Sequence, residues 1–256
     1  MYVDSHAHYD FETFDADRDE LLAGLPAAGV SAVVNVGESM LSSRRSLELA
    51  GVYVHVVASV GVHPHNVDGM TPEDLNEIGR LAANSRCVAI GEIGLDYHYN
   101  YSAPANQILW FERQLDLANR LEMPVIIHSR EAARDTLEIL RKHGIRKGVV
   151  HCFTDDEEAA LGYAKLGLYI GIGGVITFPK AEQVAAAVKA VGLARLLIET
   201  DSPFMSPIPF RGKRNDSRRI EYICAKISEL LDTSNEDVAN ATSNNASDLF
   251  NLGKLL

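Results

Sequence analysis

Short runs of apolar, largely β-branched residues alternate along this chain with longer segments of helical period. The runs are Tyr2–His6, Ala32–Val36, His55–Val62, Val88–Ile93, Val125–His128, Gly148–Cys152, Tyr169–Ile172 and Leu196–Thr200, eight in all. The segments between them read as helices over Ala16–Ala28, Ser42–Ala50, Pro72–Asn84, Gln107–Glu122, Glu131–His143, Asp155–Leu166 and Lys180–Val191, and two more lie at Ser217–Leu231 and Ser234–Phe250. Local chemistry supports these boundaries. Thr71-Pro72-Glu73 offers an N-cap with proline at the first helical position. Thr154-Asp155-Asp156-Glu157 resembles a capping box. Gly29, Gly144, Gly167 and Gly192 stand where helix C-termini favour glycine.

Eight strand–helix alternations predict an α/β fold, a (β/α)8 TIM-type barrel forming a single domain over residues 1–256; an open doubly wound sheet is the alternative. The polar residues that end the apolar runs separate the two. His6 and His8, Glu92, His128, His151 and Asp201 close runs one, four, five, six and eight. In a closed barrel those C-terminal ends converge on one mouth. In an open sheet, runs one and eight lie too far apart to share a ligand. His6 and His8 are two apart on a strand, so their rings leave it on the same side.

Composition narrows the picture. The 256 residues are 46 % hydrophobic and 23 % charged, enough for one full core, and no Gly/Ser/Pro-rich linker divides them. No apolar stretch approaches the roughly 20 residues of a membrane span, so no membrane segment is expected. The start, Met1-Tyr2-Val3-Asp4, reads as lacking a signal peptide. Cys87, Cys152 and Cys224 are widely spaced and read as free thiols of a cytoplasmic protein. Cys152 comes after His151 and is expected to be a buried strand residue pointing away from it. The net charge of −11 excludes a basic protein coating long duplexes. It leaves room for a nuclease whose metal centre attracts phosphate locally. Nothing in the sequence calls for an obligate protein partner.

Four imidazoles and two carboxylates suit one or two divalent ions. Two such ions against ionised Glu92 and Asp201 leave a net positive centre that favours an anionic substrate and an acidified water. Glu92 has two oxygens and a central strand position from which it could bridge the ions. Asp201 could hold one ion and accept a proton from the attacking water. His63, at the end of run three in Gly61-Val62-His63-Pro64-His65, could meet a substrate phosphate, with His65 beyond it. Asp4 could orient a ligand imidazole; Glu199 faces the way Asp201 does; Asp96 and Tyr97 could border the pocket. The segment Phe210-Arg211-Gly212-Lys213-Arg214-Asn215-Asp216-Ser217-Arg218-Arg219 leaves the same mouth with five cations. Arg211, Lys213 and Arg214, with Arg130 beside His128, are candidate phosphate contacts, and Phe210 a candidate stacking ring.

The motifs Asp4-Ser5-His6-Ala7-His8, Gly61-Val62-His63-Pro64, Gly91-Glu92-Ile93-Gly94-Leu95-Asp96-Tyr97, Val125-Ile126-Ile127-His128-Ser129-Arg130, His151-Cys152-Phe153, Ile198-Glu199-Thr200-Asp201-Ser202-Pro203 and Arg211-Gly212-Lys213-Arg214-Asn215 stand in order along nearly the whole chain. In this it resembles the TatD family of metal-dependent deoxyribonucleases, relatives of the amidohydrolases. The resemblance implies a (β/α)8 barrel and phosphodiester hydrolysis. It also implies that His6, His8, Glu92, His128, His151 and Asp201 are metal ligands, with Glu92 where many amidohydrolases carry a carboxylated lysine. The family commonly continues Arg-Asn with Glu-Pro, whereas Asp216-Ser217 comes after Asn215 here, a change at the nucleic-acid edge. The expectation is a cytoplasmic DNase that acts as an exonuclease on single strands or ends, with Asp201, Glu92 and His63 as catalytic residues and two Mg, Mn or Zn ions. Two alternatives are a metal-dependent ester or amide hydrolase acting on a small molecule or an aminoacyl-tRNA, and a non-catalytic metal-binding scaffold.

Overall fold

Eight parallel strands succeed one another around the sheet in chain order, β1 beside β2 through to β7 beside β8. They are β1 Tyr2–Ala7, β2 Val30–Val36, β3 Val56–Val60, β4 Cys87–Asp96, β5 Val125–Arg130, β6 Gly148–Val150, β7 Tyr169–Ile172 and β8 Leu196–Ile198. The computed structural model describes residues 1–254. All nine predicted helices are found: α1 Arg18–Gly24, α2 Met40–Val52, α3 Pro72–Ala82, α4 Pro104–Leu121, α5 Ala133–Lys142, α6 Glu157–Lys165, α7 Glu182–Val191, α8 Ile220–Leu231 and α9 Asn235–Phe250. The first is shorter than the periodicity predicts. Pro26 cannot continue the α-helical hydrogen bonding, and residues 26–28 form a 3-10 turn instead. Among the described residues, no helix is long and apolar enough to cross a membrane.

The caps follow side-chain chemistry. Thr71 and Asp74 form a reciprocal capping box at α3. At α6 the cap is Asp156 alone, whose side chain accepts from Ala159 N at 2.9 Å. The helix starts two residues later than a Thr154–Glu157 capping box requires, because Asp156 takes the cap position.

Two apolar layers run on either side of the sheet. Ala32, Val34 and Val36 of β2, Val57 of β3, Ile126 of β5, Val149 of β6 and Leu197 of β8 fill the barrel interior. Their strand neighbours Val33, Val56, Ala58, Val125, Ile127, Val150, Leu196 and Ile198 pack outward under the helices. Ala246 and Phe250 of α9 join the interior cluster, and α9 packs on β1 and β8.

Two register shifts alter this alternation near the mouth. Between Asp4 and Ala7, β1 spends three residues where β2 spends two, Val33 to Asn35. Between Ile90 and Ile93, β4 does the same against Val125 to Ile127 of β5. Each extra residue is a bulge that re-aims the side chains beyond it. Val3 belongs to the interior layer and Ala7 to the outer one, although a strict two-residue period would put them on one face. His6 and His8 are thereby turned into the mouth, and Glu92 likewise.

Closure of the barrel uses the same residues. Asp201 N donates to His6 O at 2.9 Å, and His8 N donates to Ser202 O at 2.8 Å. Below these bonds, buried Asp4 accepts from Thr200 N at 2.9 Å and Thr200 Oγ1 at 2.6 Å, and from Ser217 Oγ. Asp4 therefore ties β1 to the segment after β8; it does not orient an imidazole.

Gly94 sets the approach of β4 to β5. Its φ is +145°, and a Cβ there would overlap the carbonyl oxygen of His128. Gly94→Ala is expected to destabilise the protein by about 3–4 kcal/mol, read as a drop in the denaturant midpoint. A loss below about 1 kcal/mol would contradict a fixed backbone contact at this point.

Candidate metal centre

Glu92 lies at the centre of the mouth, 3 % exposed. Its Oε2 stands 3.4 Å from His6 Nε2 and 3.9 Å from His8 Nε2. Its Oε1 stands 2.6 Å from His151 Nε2, 3.0 Å from His128 Nδ1 and 3.4 Å from His63 Nε2. Asp201 adds its Oδ1 on the first side, 3.6 Å from His8 Nε2 and 3.9 Å from His6 Nε2. The six sequence-predicted ligands thus converge, and the two carboxylate oxygens of Glu92 divide them into two clusters.

The donors fit divalent metal. His6 Nε2 and His8 Nε2 are 3.1 Å apart, and His128 Nδ1 and His151 Nε2 are 3.2 Å apart. Nitrogens that share a tetrahedral ion at its usual bond length sit about 3.4 Å apart. The far ring nitrogens fix which lone pairs are free. His8 Nδ1 donates to Val36 O at 3.0 Å, which leaves Nε2 for an ion. His128 Nε2 donates to Asp96 Oδ2 at 3.0 Å, which leaves Nδ1. Among the described residues, His6 Nδ1 and His151 Nδ1 are buried without a hydrogen-bond partner. Both fall in one cluster with Glu199, whose carboxylate is 3.6 Å from His151 Nδ1 and accepts from Ser5 Oγ.

His63 is placed differently. It is near enough to Glu92 and His128 to complete a ligand cluster, but its Nδ1 accepts from His65 N at 3.1 Å. The neutral ring then carries its proton on Nε2, which faces the centre as a donor. Burial holds this imidazole well below its ordinary pKa. His63 therefore offers a hydrogen bond to an anion and no lone pair to a metal.

Burial opposes the ionisation of Glu92. The surrounding His151 and His63, with hydrogen bonds from His128 and His151, outweigh it and hold the carboxyl well below its usual range. Burial likewise opposes charge on His8, yet the carboxylate of Asp201 at 3.6 Å and the nearby Glu92 raise it to about 9. The carboxylates are thus charged at neutral pH.

The predicted phosphate contacts divide. Arg211 and Lys213 line a groove of about 930 Å³ together with Phe11, Phe178, Phe204 and Arg45. Arg130 lines a second cavity with His128, His151 and Asp201. Arg214 lines the same groove, but its guanidinium pairs with both carboxylate oxygens of Asp17, donates to Thr13 O and covers the Phe14 ring. Arg218 pairs with Asp216. Phe210 lies under Arg219 and against Tyr222, so it is not a free stacking ring. Tyr97 turns away to Asp135. Cys152 does not point away: its φ of 43° breaks the strand alternation, and it shares the second cavity with His151 and Asp201. Glu38 also lines the groove and is absent from the sequence-predicted set, although it stands just past run two in Val36-Gly37-Glu38. Its signal is the same one, an acid at the C-terminal end of an apolar run.

Two measurements check this arrangement. Asp96→Asn should weaken divalent metal binding about 10–100-fold in chelator competition, because the acceptor that fixes His128 is blunted; unchanged affinity would contradict the role of Asp96. Metal-free His8 is protonated up to about pH 9 and must be neutral to ligate. Metal uptake at pH 7 should therefore release protons, and affinity should rise with pH towards about 9. Calorimetry in buffers of different ionisation enthalpy reads this directly, and uptake without proton release would contradict it.

Comparison with known proteins agrees with the geometry. The sequence matches the family described as TatD related DNase over residues 3–251. It is 39 % identical over 254 residues to the uncharacterized metal-dependent hydrolase YabD of Bacillus subtilis strain 168, covering 98 % of this chain and 100 % of that one. It is 38 % identical over 255 residues to the uncharacterized metal-dependent hydrolase YcfH of Escherichia coli K12, covering 98 % and 96 %. The crystal structure of YjjV, a TatD homolog from Escherichia coli K12, superposes with a TM-score of 0.93 at 32 % identity over 98 % of each chain. This barrel, with its histidines and carboxylates gathered at one mouth, belongs to the TatD family of metal-dependent hydrolases.

Proposed function

We propose that the protein hydrolyses phosphodiester bonds of DNA at ends or in single strands, with two divalent ions held on either side of Glu92. The observation that carries this reading is the division of ligands by that carboxylate. His6, His8, Asp201 and Glu92 Oε2 would hold one ion; His128, His151 and Glu92 Oε1 would hold the other. When bound, such ions polarise the phosphoryl oxygens and acidify a water at neutral pH.

The chain's own groups do the rest. Asp201 is ionised: burial opposes this, but the His8 imidazole 3.6 Å away and the nearby His6 hold its carboxyl below the ordinary range. It is placed to take the proton of the attacking water. His63 Nε2–H donates to a phosphoryl oxygen. Arg211 and Lys213 draw the strand along the groove, and Arg130 meets phosphate on the other side of the mouth. Preference for ends or single strands comes from a site recessed in a barrel mouth on an acidic body.

One observation favours a second reading, a metal-dependent ester or amide hydrolase. Asp10, Glu12 and Glu38 line the groove beside its cations, a mixed edge that suits a substrate bearing an amine. Neutralising the cations separates the two readings. Arg211→Gln with Lys213→Gln should slow cleavage of single-stranded DNA 10-fold or more and flatten its salt dependence, while a neutral ester would be hydrolysed as before. Metal-stripped protein given end-labelled DNA should regain cleavage with Mg, Mn or Zn, and Glu92→Ala should stay inactive. Absence of cleavage with every metal would favour the second reading.

A further inference from the structure

Two large rings stand exposed beside the centre. Tyr99 is 47 % and Tyr101 68 % exposed, and they stack with centroids 5.3 Å apart and planes within 8°. Arg130 lies over the Tyr99 ring, its guanidinium carbon 4.8 Å from the centroid. His65 meets Tyr101 edge-on at 4.8 Å and Tyr99 at 5.7 Å. The pair is on the loop after β4, on the His63 and His128 side of the mouth, across from Phe11 and Phe204.

This loop is firmly held although its rings are bare. Asp96 Oδ1 accepts from His98 N at 3.0 Å and Tyr99 N at 2.8 Å, while Oδ2 of the same carboxylate fixes His128. Asn100, at a left-handed φ of 50°, donates its side-chain amide to Tyr97 O. Buried Ser102 donates to His65 O at 2.9 Å, and Gln107 donates to Ser102 O at 2.9 Å. One carboxylate thus sets both a candidate metal ligand and the backbone that carries the rings.

We propose that Tyr99 and Tyr101 form a nucleobase platform that stacks the base next to the scissile phosphodiester on the β4–β5 side of the mouth. The proposal rests on the reading of the site as a DNA phosphodiesterase. Two rings fall well short of the ~800 Å² that a protein partner buries on each side, but they match one base. Every base offers a π-face, so such a platform is indifferent to sequence. Arg130, already over Tyr99, reaches the flanking phosphate and continues the stack towards the centre. A duplex end would have to unpair to present its base, so the platform favours single strands.

The test uses short single strands with 2-aminopurine on either side of the terminal linkage, and matched strands with an abasic residue in its place. Binding of one 2-aminopurine strand to wild type should quench its fluorescence. Tyr101→Ala should remove the quenching and lower kcat/KM on the normal strand about 5–150-fold, the range for loss of one stacked base. The loss should sit mainly in KM and fall to within about twofold on the matching abasic strand; Tyr101→Phe should behave as wild type. Cleavage that Tyr101→Ala leaves unaltered, or that it slows equally on normal and abasic strands, overturns the platform and leaves the nuclease reading intact. Quenching that depends on Tyr101 without any cleavage retains the platform and overturns the nuclease reading. Neither quenching nor cleavage overturns both.

Discussion

A buried carboxylate with no escape to water organises the mouth of this barrel. Glu92 is nearly sealed, and an ionised carboxylate in such a place costs several kcal/mol unless cations or strong donors surround it. Five imidazoles approach it within 4 Å. Without metal, imidazoles such as His8 hold protons and answer that charge; divalent ions bound in their place would answer it while the rings are neutral. The spacing of the ring nitrogens, the far-side hydrogen bonds of His8 and His128, and the charge state of Asp201 are all consistent with positive charge on either side of that group.

The backbone is arranged to the same end. The bulges in β1 and β4 turn His6, His8 and Glu92 inward against the ordinary alternation. Closure between the first and last strands runs through the amides and carbonyls of His6, His8, Asp201 and Ser202. The bonds that close the barrel thus also hold candidate ligands of the centre. Asp4, deep in the seam, pulls Thr200 and Ser217 against β1 and fixes where Asp201 emerges.

Much of this is legible in the sequence, for a physical reason. A parallel barrel gathers its strand C-termini, so polar residues ending apolar runs have to share one mouth. All six candidate ligands can be found in that way before any geometry. Direction is lost where it depends on local backbone: Cys152 faces the pocket because its left-handed φ cancels the two-residue period. Charge is misjudged where it is spent on a neighbour. Arg214 reads as a free cation until Asp17, nearly 200 residues earlier in the chain, is seen beside it. Tyr99 and Tyr101 carry no signal beyond being aromatic, since only the fold shows them stacked in the open beside His65. The tautomer of His63 is equally hidden, because it depends on a backbone amide two residues on.

The sharing of Glu92 between two ions is the point on which the proposed chemistry turns. Crystals of the protein loaded with manganese, with diffraction collected at the metal edge, test it most directly. Two anomalous peaks about 3.5–4 Å apart are expected, one against each oxygen of Glu92. A single peak, or a pair that leaves Glu92 uncoordinated, would contradict it.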